Sequence, residues 1–234
     1  MIVIVLFVLL AHTPEALASE SFRSRFTSGR LDLGAVFTFF FLMLGPIKIL
    51  GPFVTMTEGA DSSFRTRLAI RATIFSCLAL LVAALVGESS LESYGVSLNV
   101  LALTGGLVLS VVAFQNILEQ FQPPQKTETE ILPLHAAVVR LAFPTIITPY
   151  GIAAVIIFTA VASGTSTKLV VIAMALGVLL LDFVAMLFAR PLLKWLGAPL
   201  LIMGVVLAII QLALGAQVVL SNLAALGVFT LRPS

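Results

Sequence analysis

Residues that carry chemistry are scarce in this chain of 234 residues, which has one cysteine, two histidines, one tryptophan and only 10% charged residues. The lone Cys77 excludes an intrachain disulfide and a multi-cysteine metal site. His12 falls in the first apolar run and His135 beside a loop, so neither stands as a buried base. No His-Glu-x-x-His or Gly-x-Ser-x-Gly motif occurs, and Asp182, the one acidic residue deep in an apolar segment, cannot form an aspartyl dyad. The familiar enzyme classes therefore lack their residues, and no catalytic, metal or cofactor site is assigned. The basic residues are dispersed, so a net charge of +2 does not describe a nucleic-acid surface. Polar surface is also lacking. With 60% hydrophobic residues and a mean hydropathy of +1.16, the chain cannot cover a soluble globule.

What is present is membrane-length apolar sequence. The charge-free stretches Ser93 to Leu118, Leu141 to Thr167 and Trp195 to Leu231 each exceed the ~20 residues a helix needs to cross about 30 Å of hydrocarbon. Six spans are expected: Leu33 to Met56, Leu68 to Gly87, Val96 to Leu118, Ala137 to Val161, Leu169 to Ala189 and Ala198 to Leu223. Before them, Ile2 to Ala11 has the length of a signal-peptide core, Pro14 ends it, and Ala16-Leu17-Ala18 fits a small-x-small cleavage pattern. Residues 1–18 read as a cleaved signal, the alternative being a retained short membrane segment, and 19–32 as an extracytoplasmic lead. Cleavage leaves both termini outside. Arg65, Arg67, Arg71, Lys126, Arg140, Arg190 and Lys194 then face the cytoplasm, with Lys168 alone in an outer loop, as the positive-inside rule requires.

Two spans are interrupted. Gly45-Pro46-Ile47-Lys48-Ile49-Leu50-Gly51-Pro52 and Phe143-Pro144-Thr145-Ile146-Ile147-Thr148-Pro149-Tyr150-Gly151 place prolines and glycines in mid-membrane. A proline there removes a backbone hydrogen bond and clashes with the preceding turn, leaving polar groups that only protein, water or a solute can satisfy. The interruptions recur in the first span of each half, 33–118 and 137–234. The linker between them, 119–136, is rich in Gln, Glu, Thr and Pro and reads as cytoplasmic. With three spans per half, the second half starts from the opposite side. The expected fold is an all-α polytopic membrane protein of six helices in two inverted three-helix halves, each opening with a broken helix.

At these residues the chain resembles the MarC-related integral membrane proteins, also called the UPF0056 family, within the broader group of LysE-type exporters. The resemblance runs from about Gly34 to the end of span six. It is carried by Gly45-Pro46 through Phe53, Thr57-Glu58-Gly59 followed by Arg67 to Arg71, Gly87-Glu88 leading into Tyr94-Gly95-Val96-Ser97, Thr104-Gly105-Gly106, and Leu141-Ala142-Phe143-Pro144 with Thr148-Pro149-Tyr150-Gly151. The chain departs from the common pattern at Gly45, at Lys48 and at Thr148-Pro149-Tyr150, where relatives often carry Asn or Asp, a small or polar residue, and Gly-Pro-Gly. The resemblance implies a six-span protein of the bacterial inner membrane that moves small solutes such as neutral amino acids.

The candidate solute site comprises Gly45, Pro46, Lys48, Gly51, Pro52, Pro144, Thr145, Thr148, Pro149, Tyr150 and Gly151. An ionised Lys48 in mid-span costs about 2.5 to 3.5 kcal/mol without water or a partner. It stands just after a break, where the N–H groups of a half-helix favour an anion, so a solute carboxylate suits both; the plainer role is a stem that snorkels to the cytoplasmic interface or meets a loop carboxylate. Asp182 either pairs with Lys48, carries a coupling proton, or merely orients its helix near Arg190. Thr145, Thr148 and Tyr150 offer hydroxyls, although threonines beside a break also cap it. Gln211 and Gln217 suit contacts between helices, and Gly105-Gly106 a close helix approach. The expected function is transport by alternating access, in contact with the bilayer and a small solute and open to assembly with further copies. The alternative is a scaffold that moves nothing.

Overall fold

The structure, a computed structural model, describes residues 33–119, 133–162 and 164–228, and every regular element among them is helical. Residues 1–32, with the expected signal, and most of the linker lie outside the described residues. The first span is α1 (Leu33–Leu44) followed by α2 (Ile47–Met56), separated only by Gly45 and Pro46. It leads through a turn into α3 (Ser62–Ser93), which starts at Asp61, whose carboxylate accepts the Phe64 amide at 3.1 Å. After α4 (Leu98–Glu119) the chain resumes as α5 (Leu134–Arg140), wider turns over Leu141–Ile146, and α6 (Pro149–Val161). Then α7 (Thr165–Leu187) and α8 (Ala189–Ala225) follow with Phe188 alone between them.

Among the described residues, five helical segments are long and apolar enough to cross a membrane, and the bent pair Leu134–Ile146 with Pro149–Val161 makes a sixth if it is one span. That pair turns by 58°, whereas Leu33–Met56 keeps the length and course of one span. Each span holds two prolines, so backbone conformation makes the difference. Pro46 keeps helical angles (φ −69°, ψ −20°) and Pro52 sits inside α2, whereas between α5 and α6 Phe143 and Ile147 are extended (φ −137°, ψ 129° and φ −96°, ψ 116°) before Pro149 starts a new helix.

The core lies where the broken spans meet α3 and α7. Val36, Phe40, Met43 and Leu44 of α1 pack with Leu68, Ala69 and Ala72 of α3, Val155 and Phe158 of α6, and Val171, Ala175, Val178 and Leu179 of α7. Phe39 and Phe40 both meet Phe158 edge-on at 5.4 Å. The α4–α8 contact depends on missing side chains: a Cβ on Gly106 would come 3.0 Å from the Gly215 carbonyl oxygen, and one on Gly215 2.9 Å from that of Gly106. Two backbones approach this closely only through small residues, the usual device of helix pairs in lipid. The large apolar side chains left exposed on α3, including Leu78, Val82 and Leu85, suit a hydrocarbon surround.

Candidate functional site

Each break leaves a carbonyl without its helical donor, and each is satisfied locally. Pro46 has no N–H for the Leu42 carbonyl; Gln211 of α8 donates to it instead at 2.6 Å, with its side chain 4% exposed. Pro144 likewise has no N–H for the Arg140 carbonyl, which the wider turn carries past it to Thr145, whose hydroxyl donates to it at 3.1 Å. The Met43 carbonyl, at the end of α1, accepts from the Lys48 ammonium at 2.5 Å, a cation at the negative end of a half-helix. Gly45 is required by space, since a Cβ there would overlap the Phe41 carbonyl oxygen. On the other side Thr148, with extended φ −95° and ψ 153°, caps α6 by accepting the Gly151 amide at 3.1 Å, and Pro149 occupies the first helical position.

The two breaks touch. Gly151 packs so closely under Leu44 that a Cβ would lie 2.6 Å from its Cδ2. The Lys48 ammonium stands 5.7 Å from the centre of the Tyr150 ring, within reach of a cation–π interaction. Asp182 of α7 is fully buried in the same core, and neither of its oxygens has a hydrogen-bond partner among the described residues. Lys48 is not its bonded partner, because the ammonium is held on Met43.

From this junction a cavity of about 470 Å³ runs between α1, α4, α6 and α8. Met43 and Tyr150 line its deep end, and Leu98, Val161 and Ala225 its other end. The rise from Tyr150 to Val161 along α6 is about 16 Å at 1.5 Å per residue. Small residues make the room: Ala102, Gly105, Ala153 and Ala154 line its walls beside Phe39 and Phe158. Its polar groups are Asn99, Gln217, Ser221 and Asn222, with Tyr150 opposite, and among the described residues no charged side chain lines it. The Gln217 amide donates to Ser221 and that of Asn222 to the Val218 carbonyl, which leaves these primary amides both donor and acceptor capacity toward the cavity. Among the described residues, no group of three or more His, Cys, Asp or Glu gathers to hold a metal.

Of the residues singled out from the sequence, Gly45, Pro46, Lys48, Thr148, Tyr150 and Gly151 come together at the junction. Gly51 and Pro52 are exposed on α2, and Pro144 and Pro149 are exposed as well. The hydroxyls of Thr145 and Thr148 serve the backbone of their own break. Only Tyr150 among the named candidates lines the cavity. The amides of Asn99 and Asn222 were not legible as candidates. Counting backbone donors at Pro46 does call for a partner such as Gln211, although not for that residue in particular.

Two cross-links join the ends of the bundle. Arg190 donates to the Thr57 carbonyl at 3.1 Å, and Lys168 pairs with Glu88 at 2.7 Å. Arg190 shares a small crevice with Ser62 and Arg65, so these basic residues lie at one end. The Lys168–Glu88 pair, at the start of α7 and near the end of α3, marks the other, toward which the cavity extends.

These features define a polytopic helical membrane protein with interrupted helices around a central cavity. The chain belongs to the MarC family of integral membrane proteins, whose family model matches residues 32–226. It is 28% identical over 196 residues to a UPF0056 membrane protein of Archaeoglobus fulgidus, covering 81% of this chain and 91% of the relative. A UPF0056 membrane protein of Buchnera aphidicola is 29% identical over 117 residues, 50% of this chain and 56% of the relative. The UPF0056 inner membrane protein MarC of Escherichia coli is 25% identical over 122 residues, 49% and 55%. For the last two, the match spans little more than half the relative's length. No solved structure matches the chain.

Proposed function

We propose that this protein is an inner-membrane transporter of small solutes, with neutral amino acids as the first class to test, and that it works by alternating access and not as an enzyme. The observation that carries the proposal is the cavity that ends where two broken helices touch, beside Lys48 and Tyr150. Broken helices at a midplane cavity are the common architecture of solute sites in transporters. A cavity of about 470 Å³ is in the range that encloses small ligands. Its apolar walls suit an apolar body, and its amides and hydroxyls suit a small polar group that donates or accepts hydrogen bonds.

The two-fold reading of the chain is part of the proposal. It is supported by matched packing: α1 lies on α7 as the α5–α6 region lies on α3, while α3 pairs with α7 and α4 with α8. Orientation follows from charge. Arg65, Arg190 and Lys194 belong on the cytoplasmic side, which makes the cavity outward-facing, the Arg190–Thr57 link a cytoplasmic closure, and both termini extracytoplasmic.

Radiolabelled alanine uptake into proteoliposomes of the purified chain tests this against protein-free liposomes. Pro46→Ala with Pro144→Ala lets the backbone close its hydrogen bonds, so transport falls while helix content by circular dichroism holds. Uptake no greater than in protein-free liposomes for the whole neutral amino-acid series removes that substrate class. Transport indifferent to the double substitution means the breaks are not the working site, and failure with every small solute favours the scaffold.

A further inference from the structure

Asp182 lies four residues beyond Val178 and four before Met186 on the buried face of α7 and is 0% exposed. Neither oxygen has a hydrogen-bond partner among the described residues. Buried polar groups are nearly always bonded, and a buried ionised carboxylate without bonds is among the costliest arrangements a protein can hold. Something neutralises it. The helices packed against α7 are α1, α2, α3 and α6. Helix α1 carries no titratable side chain; α2 carries Lys48; α3 carries Arg65, Arg67 and Arg71 in its first turns, Cys77 mid-way, and Glu88 and Glu92 near its end; α6 carries Tyr150. Of these, Lys48 is the cation set beside the break and away from the ends of the bundle, yet its ammonium is bonded to the Met43 carbonyl. A metal ion fits badly, because no acidic cluster gathers among the described residues and the ammonium nearby would repel it.

We propose that Asp182 is a proton-carrying site that exchanges its proton for the Lys48 ammonium when the broken helices rearrange. In the conformation described, Asp182 is the neutral acid and Lys48 rests on Met43. In the alternative, Lys48 leaves Met43 and pairs with Asp182: the carboxyl O–H bond breaks, its electron pair stays on oxygen, and the proton passes to water. The lysine nitrogen keeps its own protons throughout, so one proton is released per rearrangement. Because Met43 and Tyr150 both touch Lys48 and both line the cavity, its occupation and the state of Asp182 are linked. That link makes the proton the coupling ion and rests on the transport reading; the titration of Asp182 does not.

Infrared difference spectroscopy on the full-length protein in lipid nanodiscs, stepped from acid to alkaline pH, tests the titration without any solute. A protonated-carboxyl stretching band is expected that is lost in Asp182→Asn and shifted, not lost, in Asp182→Glu, which guards against a variant that merely misfolds. In Lys48→Met the band is expected to persist to more alkaline pH, because the ammonium that competes with the proton is gone. A wild-type spectrum identical to that of Asp182→Asn overturns the proton site. An unchanged titration in Lys48→Met overturns the exchange with lysine. Either result leaves the alanine uptake assay to judge the transport reading on its own.

Discussion

Gln211 is the most exacting test of how the first break is held together. Its amide supplies the donor that Pro46 cannot give to the Leu42 carbonyl. Gln211→Met keeps the volume and removes the donor, leaving a carbonyl unsatisfied in a site 4% exposed at the glutamine. Such a loss costs about 1 to 3 kcal/mol in soluble cores, while interhelical hydrogen bonds within membranes average about 0.6 kcal/mol and reach about 1.7. The membrane figures apply here, so the expected loss is about 1 kcal/mol. Pro46→Ala restores a backbone N–H four residues after Leu42. In that background Gln211→Met should therefore cost almost nothing, a coupling of about 1 kcal/mol in the double-mutant cycle. Unfolding free energies of the four proteins in mixed micelles, titrated with a denaturing detergent and followed by circular dichroism, measure it. Additivity within about 0.5 kcal/mol would refute the reasoning, because it would mean that Gln211 does not stand in for the missing backbone donor.

Gly151→Ala puts a methyl group 2.6 Å from Leu44 Cδ2 and 2.9 Å from the capping Thr148 hydroxyl, so it should destabilise by about 1 to 3 kcal/mol. Gly177→Ala, with no atom within 4 Å of the added group, should be neutral or gain about 0.5 to 1 kcal/mol in the same detergent titration. Glu88→Gln removes the carboxylate facing Lys168, a pair about one-third exposed on each side, so it should cost no more than about 1 kcal/mol. That cost should shrink as salt is added, and a salt-independent loss would place the pair's contribution elsewhere.

Much of this protein follows from its order of residues alone. Membrane residence follows because 60% of the chain is hydrophobic and three long stretches carry no charge, which no arrangement of the backbone can hide from water. The two interruptions follow because Pro46 and Pro144 lack an N–H in any fold, and the MarC family is legible in the motifs around them. The plain role of Thr148 was open to local reasoning as well, since a cap bonds three residues along the chain. What the order of residues leaves open is everything set by distance between segments far apart in the chain. The donor for Leu42 sits 169 residues away, and Arg190 reaches Thr57 across 133. Lys48 read from sequence had four partners to choose from, solute, interface, a loop carboxylate or Asp182; in the tertiary structure its ammonium bonds the Met43 carbonyl, five residues back across the break. The cavity is the clearest case. Small residues, among them Ala102, Ala153 and Ala154, leave its space beside Phe39 and Phe158, and that space depends on how four helices meet while Gly106 and Gly215 hold α4 and α8 together beside it. Packing decides where space remains, and packing is a property of pairs that a linear pattern does not encode.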